Sequence, residues 1–264
     1  MTHSAPSRRE TARRGRGAAL AALLFLGSAG SALATNAELL ADAEAKAEYA
    51  YFVADRHALD QLGAELKPLK ASADLWDRYG YAHAAFRRLQ LAALAHQPRE
   101  AQAAGEECLA ALDRDPAALA ANAEALGLAA GCAGYLAEFG ALKHLTAGRR
   151  RDTSLAAAKA LAPSNPRVLL TEGTLAWFKP NRSPTESRAA RAEFTRAAEL
   201  FERVTVSAPG EPTWGGAEAW LFVGCALEED GDVVGARSAY ERSLLIAPDF
   251  GLAKKRLARL AGPR

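Results

Sequence analysis

The sequence predicts an all-α protein: antiparallel helix pairs stacked as an α-α superhelix, about ten helices in one domain. Three observations predict it. Half of the 264 residues are hydrophobic while aromatics make up only 7%, a mix that suits helices packed through small side chains. From Asn36 onward apolar residues recur at helical spacing, with no convincing alternation of the strand type. Finally, Ala219–Pro248 (AWLFVGCALEEDGDVVGARSAYERSLLIAP) reads as a helix, a Gly-Asp turn and a second helix stopped by proline.

The chain opens with the three parts of a secretory leader. Arg8, Arg9, Arg13, Arg14 and Arg16 precede the apolar run Ala18–Leu26, and Ala32-Leu33-Ala34 forms a small-x-small cleavage site. The run is too short for a permanent membrane span. No Cys follows it, which disfavours a lipid anchor, and no apolar pair follows the Arg pairs where twin-arginine export would need one. The expectation is Sec export, cleavage after Ala34 and a periplasmic mature chain, with residues 1–34 as leader and 35–264 as the helical domain. Without residues 1–34, which hold five arginines and one glutamate, 28 basic and 30 acidic residues remain. A net charge of −2 argues against nucleic-acid binding, which needs a concentrated basic footprint.

The helices follow in order. Asn36–Leu66 supplies one or two, broken near Gly63 and closed by Pro68. Ser72–Ala95 begins a first pair, with Trp76 and Gly80 four apart as Trp220 and Gly224 are; Glu100–Leu112 returns, with Ala104, Cys108 and Pro116 in the places of Ala236, Tyr240 and Pro248. Ala117–Leu145 reads as one long Ala-rich helix bent at Gly131 or Gly134, and Thr153–Leu161 as a short one ended by Pro163. Ser164-Asn165-Pro166 is a cap-and-proline start to a helix that ends at Pro180. Lys179–Thr185 is a loop of helix breakers, Glu186–Val206 a long return helix, and Ser207–Gly215 a second loop. Leu252–Ala261 is an amphipathic closing helix, as a solenoid end requires.

In the last pair Trp220 and Leu227 are large anchors, Gly224 and Ala236 are small where helices cross, and Gly231-Asp232 ends one helix and caps the next. Trp220, Val223, Gly224, Leu227, Ala236, Tyr240 and Pro248 resemble the tetratricopeptide pattern. A likeness over Ala158–Pro248 is carried by Asn165-Pro166-Arg167-Val168-Leu169-Leu170, Gly173, the Phe178-to-Pro180 step, Ala197, Phe201, Trp214-Gly215 and Ala219-Trp220. This stretch resembles a group of exported bacterial tetratricopeptide proteins, though Asn181–Thr185 lacks that group's Gly pair. A looser similarity is to the helical-repeat component linked to TRAP-type transporters.

No HExxH, CxxC, P-loop or GxSxG signature stands in the mature chain, and no two histidines pair on one helix face. No catalytic activity, metal or cofactor is therefore expected. Glu228–Asp232 reads as the turn of the last pair rather than a calcium loop, and Arg149-Arg150-Arg151 as a solvated loop. With a turn near Asp115, Cys108 faces Asn122, and Cys132 lies roughly 15 Å further along the axis. All three cysteines are therefore expected reduced.

The resemblance implies an interaction scaffold binding a protein or peptide partner in the cell envelope on the concave face of the first helices. The positions that would face it are Leu170, Thr174, Trp177 and Phe178, then Leu221, Cys225, Glu228 and Glu229. The alternative is an accessory of a transport or envelope system that holds a small apolar molecule inside the superhelix.

Overall fold

The structure, a computed structural model, describes residues 1–2, 19–138, 141–203 and 210–261. Among them are twelve α-helices and no strand. They are α1 (Ala19–Phe52), α2 (Arg56–Glu65), α3 (Leu75–Leu94), α4 (Pro98–Leu112), α5 (Pro116–Ala120) and α6 (Ala123–Leu136). Then follow α7 (Ala141–Leu161), α8 (Pro166–Trp177), α9 (Pro184–Arg203), α10 (Gly216–Glu229), α11 (Val233–Ile246) and α12 (Gly251–Ala261). The arginine-rich start of the leader lies outside the described residues, whereas Ala32-Leu33-Ala34 falls within α1. No helix among the described residues is long and apolar enough to cross a membrane.

The helix starts follow local chemistry. Asp55, Asp74, Asp115, Asn122, Asn165 and Asp232 each accept a backbone N–H of the first turn they precede. Pro98, Pro116 and Pro166 occupy first-turn positions, where the missing N–H costs no helix bond. At the other end of α10, Gly231 takes φ +81°, and Asp232 caps α11 as the sequence predicts.

Four antiparallel pairs form: α3 with α4, α6 with α7, α8 with α9 and α10 with α11, while α12 closes on α11. In the third and fourth, a glycine lets an aromatic ring of the return helix lie against the backbone. A side-chain carbon added at Gly224 would fall 2.4 Å from the Tyr240 ring, and one at Gly173 2.6 Å from Phe194. The first pair is built differently. Both α3 and α10 turn to their partners through three residues, but α3 has 20 residues and α10 has 14. Counted from the helix end, Leu89 takes the place of Gly224, and Gly80 instead faces Leu40 of α1.

Ala117–Leu145 is not one bent helix. Asn122 caps a new helix behind α5, and α7 starts only at Ala141, while Gly131 and Gly134 sit inside unbroken α6 against Phe86 and Leu175. Arg149–Arg151 accordingly lie in α7 rather than in a loop, with Arg150 paired to Asp113 and Arg151 to Asp152. The same rearrangement corrects the cysteines. Cys108 and Cys132 form a disulfide, their Cα atoms 6.5 Å apart. A tight turn near Asp115 would have kept them apart. Instead the link contains α5, so α6 enters displaced along α4 and brings Cys132 level with Cys108. Cys225 is a buried free thiol.

Candidate functional site

Seen from the first helices, the inside of the stack is already occupied. Residues 78–92 of α3 are buried except Gly80 and Arg88, residues 125–134 of α6 are buried throughout, and residues 217–226 of α10 are buried except Phe222. A helix apolar or buried on every side has neighbours on every side. Here the extra neighbours are α1, which packs on α3, and the segment 210–217, tied to α1 through Glu44.

A buried ion cluster joins the three layers. Arg87 of α3 has no exposed surface. Its Nε and Nη2 donate to the two oxygens of Glu48 on α1, at 2.6 and 2.8 Å. Its Nη1 donates to Glu218 on α10 and to Gln90, both at 2.7 Å, and Nη2 donates again to Glu218. All five guanidinium donors are thus used, which is what makes so deep a charge tolerable. The guanidinium also lies over the Tyr51 ring at 4.3 Å and over Trp214 at 5.0 Å. Burial alone would raise the Glu48 carboxyl, but Arg87 and His83 more than reverse this and hold it below its ordinary range. Burial, then the charge of Glu218, pushes the Tyr51 hydroxyl far up.

Beside the cluster lies a cleft of about 250 Å³. One wall is the α1 stripe Leu40, Glu44, Glu48 and Phe52, each four residues apart and so on one helix face. Trp76, Tyr79, Gly80 and His83 of α3 face it, and residues 210–217 form the roof. Gly215 holds φ +110° there, and a side-chain carbon on it would meet the Phe201 ring at 2.7 Å, so this bend needs glycine. Thr213 donates its amide (2.8 Å) and its hydroxyl to Glu44, and the Trp214 indole N–H donates to Tyr79 Oη at 3.0 Å. The Trp214 ring stacks on His83, centroids 5.1 Å apart. His83 Nε2 lies 3.1 Å from Glu48 Oε1, a contact that helps hold the Glu48 carboxyl low. Burial, then Glu124, drives the Tyr79 hydroxyl well upward, against the opposing Arg167 charge and the Trp214 hydrogen bond.

The residues expected on the concave face are distributed differently. Leu170, Leu221 and Cys225 are buried in the core. Thr174 turns its hydroxyl back to the Thr171 carbonyl. Trp177 packs edge-on against Phe194, and the Arg182 guanidinium lies 4.0 Å above its ring. Arg182 also donates to both oxygens of Glu229, so Trp177 and Glu229 do meet, through the loop that follows α8. Glu228 accepts from the Tyr240 hydroxyl and pairs with Arg256 and Arg259 of α12. Phe178 alone of the eight remains a largely exposed ring, edge-on to Phe222. Among the described residues no group of three His, Cys, Asp or Glu side chains could hold a metal.

Sequence reasoning missed Glu48, His83, Arg87 and Glu218 as a unit. Their partners lie up to 131 residues apart, and no spacing marks them. One signal was available: α3 carries Arg78, Arg87 and His83 on a helix whose other positions are mostly apolar or small, and both arginines are fully buried.

No protein-family model matches the sequence, and comparison with curated proteins finds no match. Among solved structures, the HusA haemophore from Porphyromonas gingivalis is similar in fold, with 18% sequence identity and a TM-score of 0.56. The match covers 82% of this chain and 96% of that one.

Proposed function

We propose that this chain is an exported, non-catalytic binding protein of tetratricopeptide-like build that takes a small ligand in the cleft between α1, α3 and residues 210–217. One observation carries the reading: the faces that an open scaffold would offer to an extended partner are covered by the chain's own α1 and roof segment, and the cleft lies between them. Export is supported by the leader and by the Cys108–Cys132 disulfide, a bond that persists in oxidising compartments. The fold likeness to a haemophore is in keeping with a carrier that binds without catalysis. The scaffold reading keeps one foothold, the exposed Phe178 ring beside Phe222.

Ala41 and Ala45 line the cleft yet are exposed, so both can be enlarged without touching the core. Titration of the oxidised mature protein with a small-ligand panel including haem, followed by calorimetry and tryptophan fluorescence, is the direct test. Binding to the parent protein and its loss in Ala41→Phe/Ala45→Phe, with unchanged melting, is the expected result. No binding by any ligand, together with an envelope partner whose capture depends on Phe178, would replace the cleft with the scaffold reading.

A further inference from the structure

Resting on that cleft reading, we infer that the ligand class is a small organic cation, an ammonium or guanidinium carried on an apolar body. The walls state the chemistry. Glu44 and Glu48 line the cleft, and neither Lys nor Arg stands among its described lining residues. Arg87 neutralises Glu48, but it does so from behind the wall and is shared with Glu218, leaving two buried carboxylates to one guanidinium. Glu44 receives only uncharged donors from Thr213, so its charge faces the cleft without a cation from that roof contact.

The remaining surface is aromatic. Trp76, Tyr79, Phe52 and Trp214 line the same space, and Trp76 meets Tyr79 edge to face at 5.5 Å. Aromatic rings with carboxylates nearby are the setting in which organic cations bind, through ring faces and charge together. His83, 2% exposed, also lines the cleft, with its Nε2 3.1 Å from Glu48 Oε1. The volume, about 250 Å³, lies just under the usual span of small-molecule sites, roughly 300–1,000 Å³. That size fits a compact amine and is small for a porphyrin, whose carboxylates would also meet like charge here.

The test uses the oxidised mature protein with phenethylamine, benzamidine and agmatine as cation probes. Phenethyl alcohol and benzamide serve as neutral counterparts, phenylacetate as the anion and haem as the large dianion. The inference expects at least one cation to bind at least about tenfold more tightly than its neutral counterpart, and affinity to fall with salt. Glu44→Gln keeps an acceptor for Thr213 and should weaken that cation about tenfold, while Ala45→Phe should abolish binding. Equal binding of the neutral counterparts, or haem binding abolished by Ala45→Phe without any cation binding, would overturn the cation assignment and leave the cleft reading standing. Absence of binding by every probe would overturn both.

Discussion

Arg87→Met separates a structural keystone from an ordinary buried side chain. The substitution retains most of the aliphatic stem but removes five hydrogen-bond donors and the positive charge shared by Glu48 and Glu218. Two carboxylates, one on α1 and one on α10, are then left facing each other without a cation. Removing one partner of a buried ion pair costs about 3–5 kcal/mol. For a domain of this size each kcal/mol moves the midpoint by about 2–4 °C, so the melting temperature should fall by about 6–20 °C. Circular dichroism melts of the mature oxidised protein at pH 7 read it directly. Adding Glu48→Gln and Glu218→Gln to Arg87→Met removes the stranded charges and should recover at least half of the loss. A melt of Arg87→Met within two degrees of the parent would refute the view that this cluster holds α1 and α10 to α3, as would failure of the triple variant to recover any stability.

Other consequences follow from named contacts. Gly224→Leu forces a side chain into the Tyr240 ring and should cost about 1–3 kcal/mol, visible as a lower urea midpoint; no change would show that the α10–α11 crossing is loose. The native exported protein should start at Thr35, weigh two hydrogens less than its reduced form, and lose about 2–4 kcal/mol on reduction, since the bond closes a loop of 24 residues. Intact mass before and after reductant checks both points, and retention of residues 1–34 would refute the leader. Acid should act on Glu48, whose carboxyl sits below the ordinary 4.5 among His83, Arg87 and Glu218. Its contribution is fully present above pH 4.5 and is lost as pH falls through the lower folded value. Tryptophan fluorescence from pH 7 to pH 2 should show a transition that Glu48→Gln removes.

Much of the fold was written locally. Asp74, Asn165 and Asp232 cap helices one to three residues ahead, and the Gly224–Tyr240 approach repeats as Gly173–Phe194, so short-range chemistry places both ends and crossings. The break inside Ala117–Leu145 was harder, because Asn122 is a single cap amid alanines that favour helix on either side. The inner position of α1 was not legible at all. Its sequence is amphipathic enough to lie on any apolar surface, and only the distant Arg87 and Thr213 say which one. The candidate cleft inherits that difficulty. Its walls come from three regions of the chain, and Glu44 and Glu48 look alone like the charges of any solvated helix face.

The position of α1 also weighs the two ways such a protein can bind. A partner helix or extended peptide seeking the inner faces of α3 and α10 would first have to lift α1, breaking the Glu48–Arg87 pair and uncovering Tyr51 and Phe52, which pack on each other and on Phe250. Lifting α1 would give up both Glu48–Arg87 hydrogen bonds, a cost set against any such partner. A molecule small enough for the cleft meets Glu44, Trp76 and His83 with α1 in place and pays none of it. The same cluster that closes the superhelix thus favours a small ligand over a chain-like one, and it does so before any contact with either is counted.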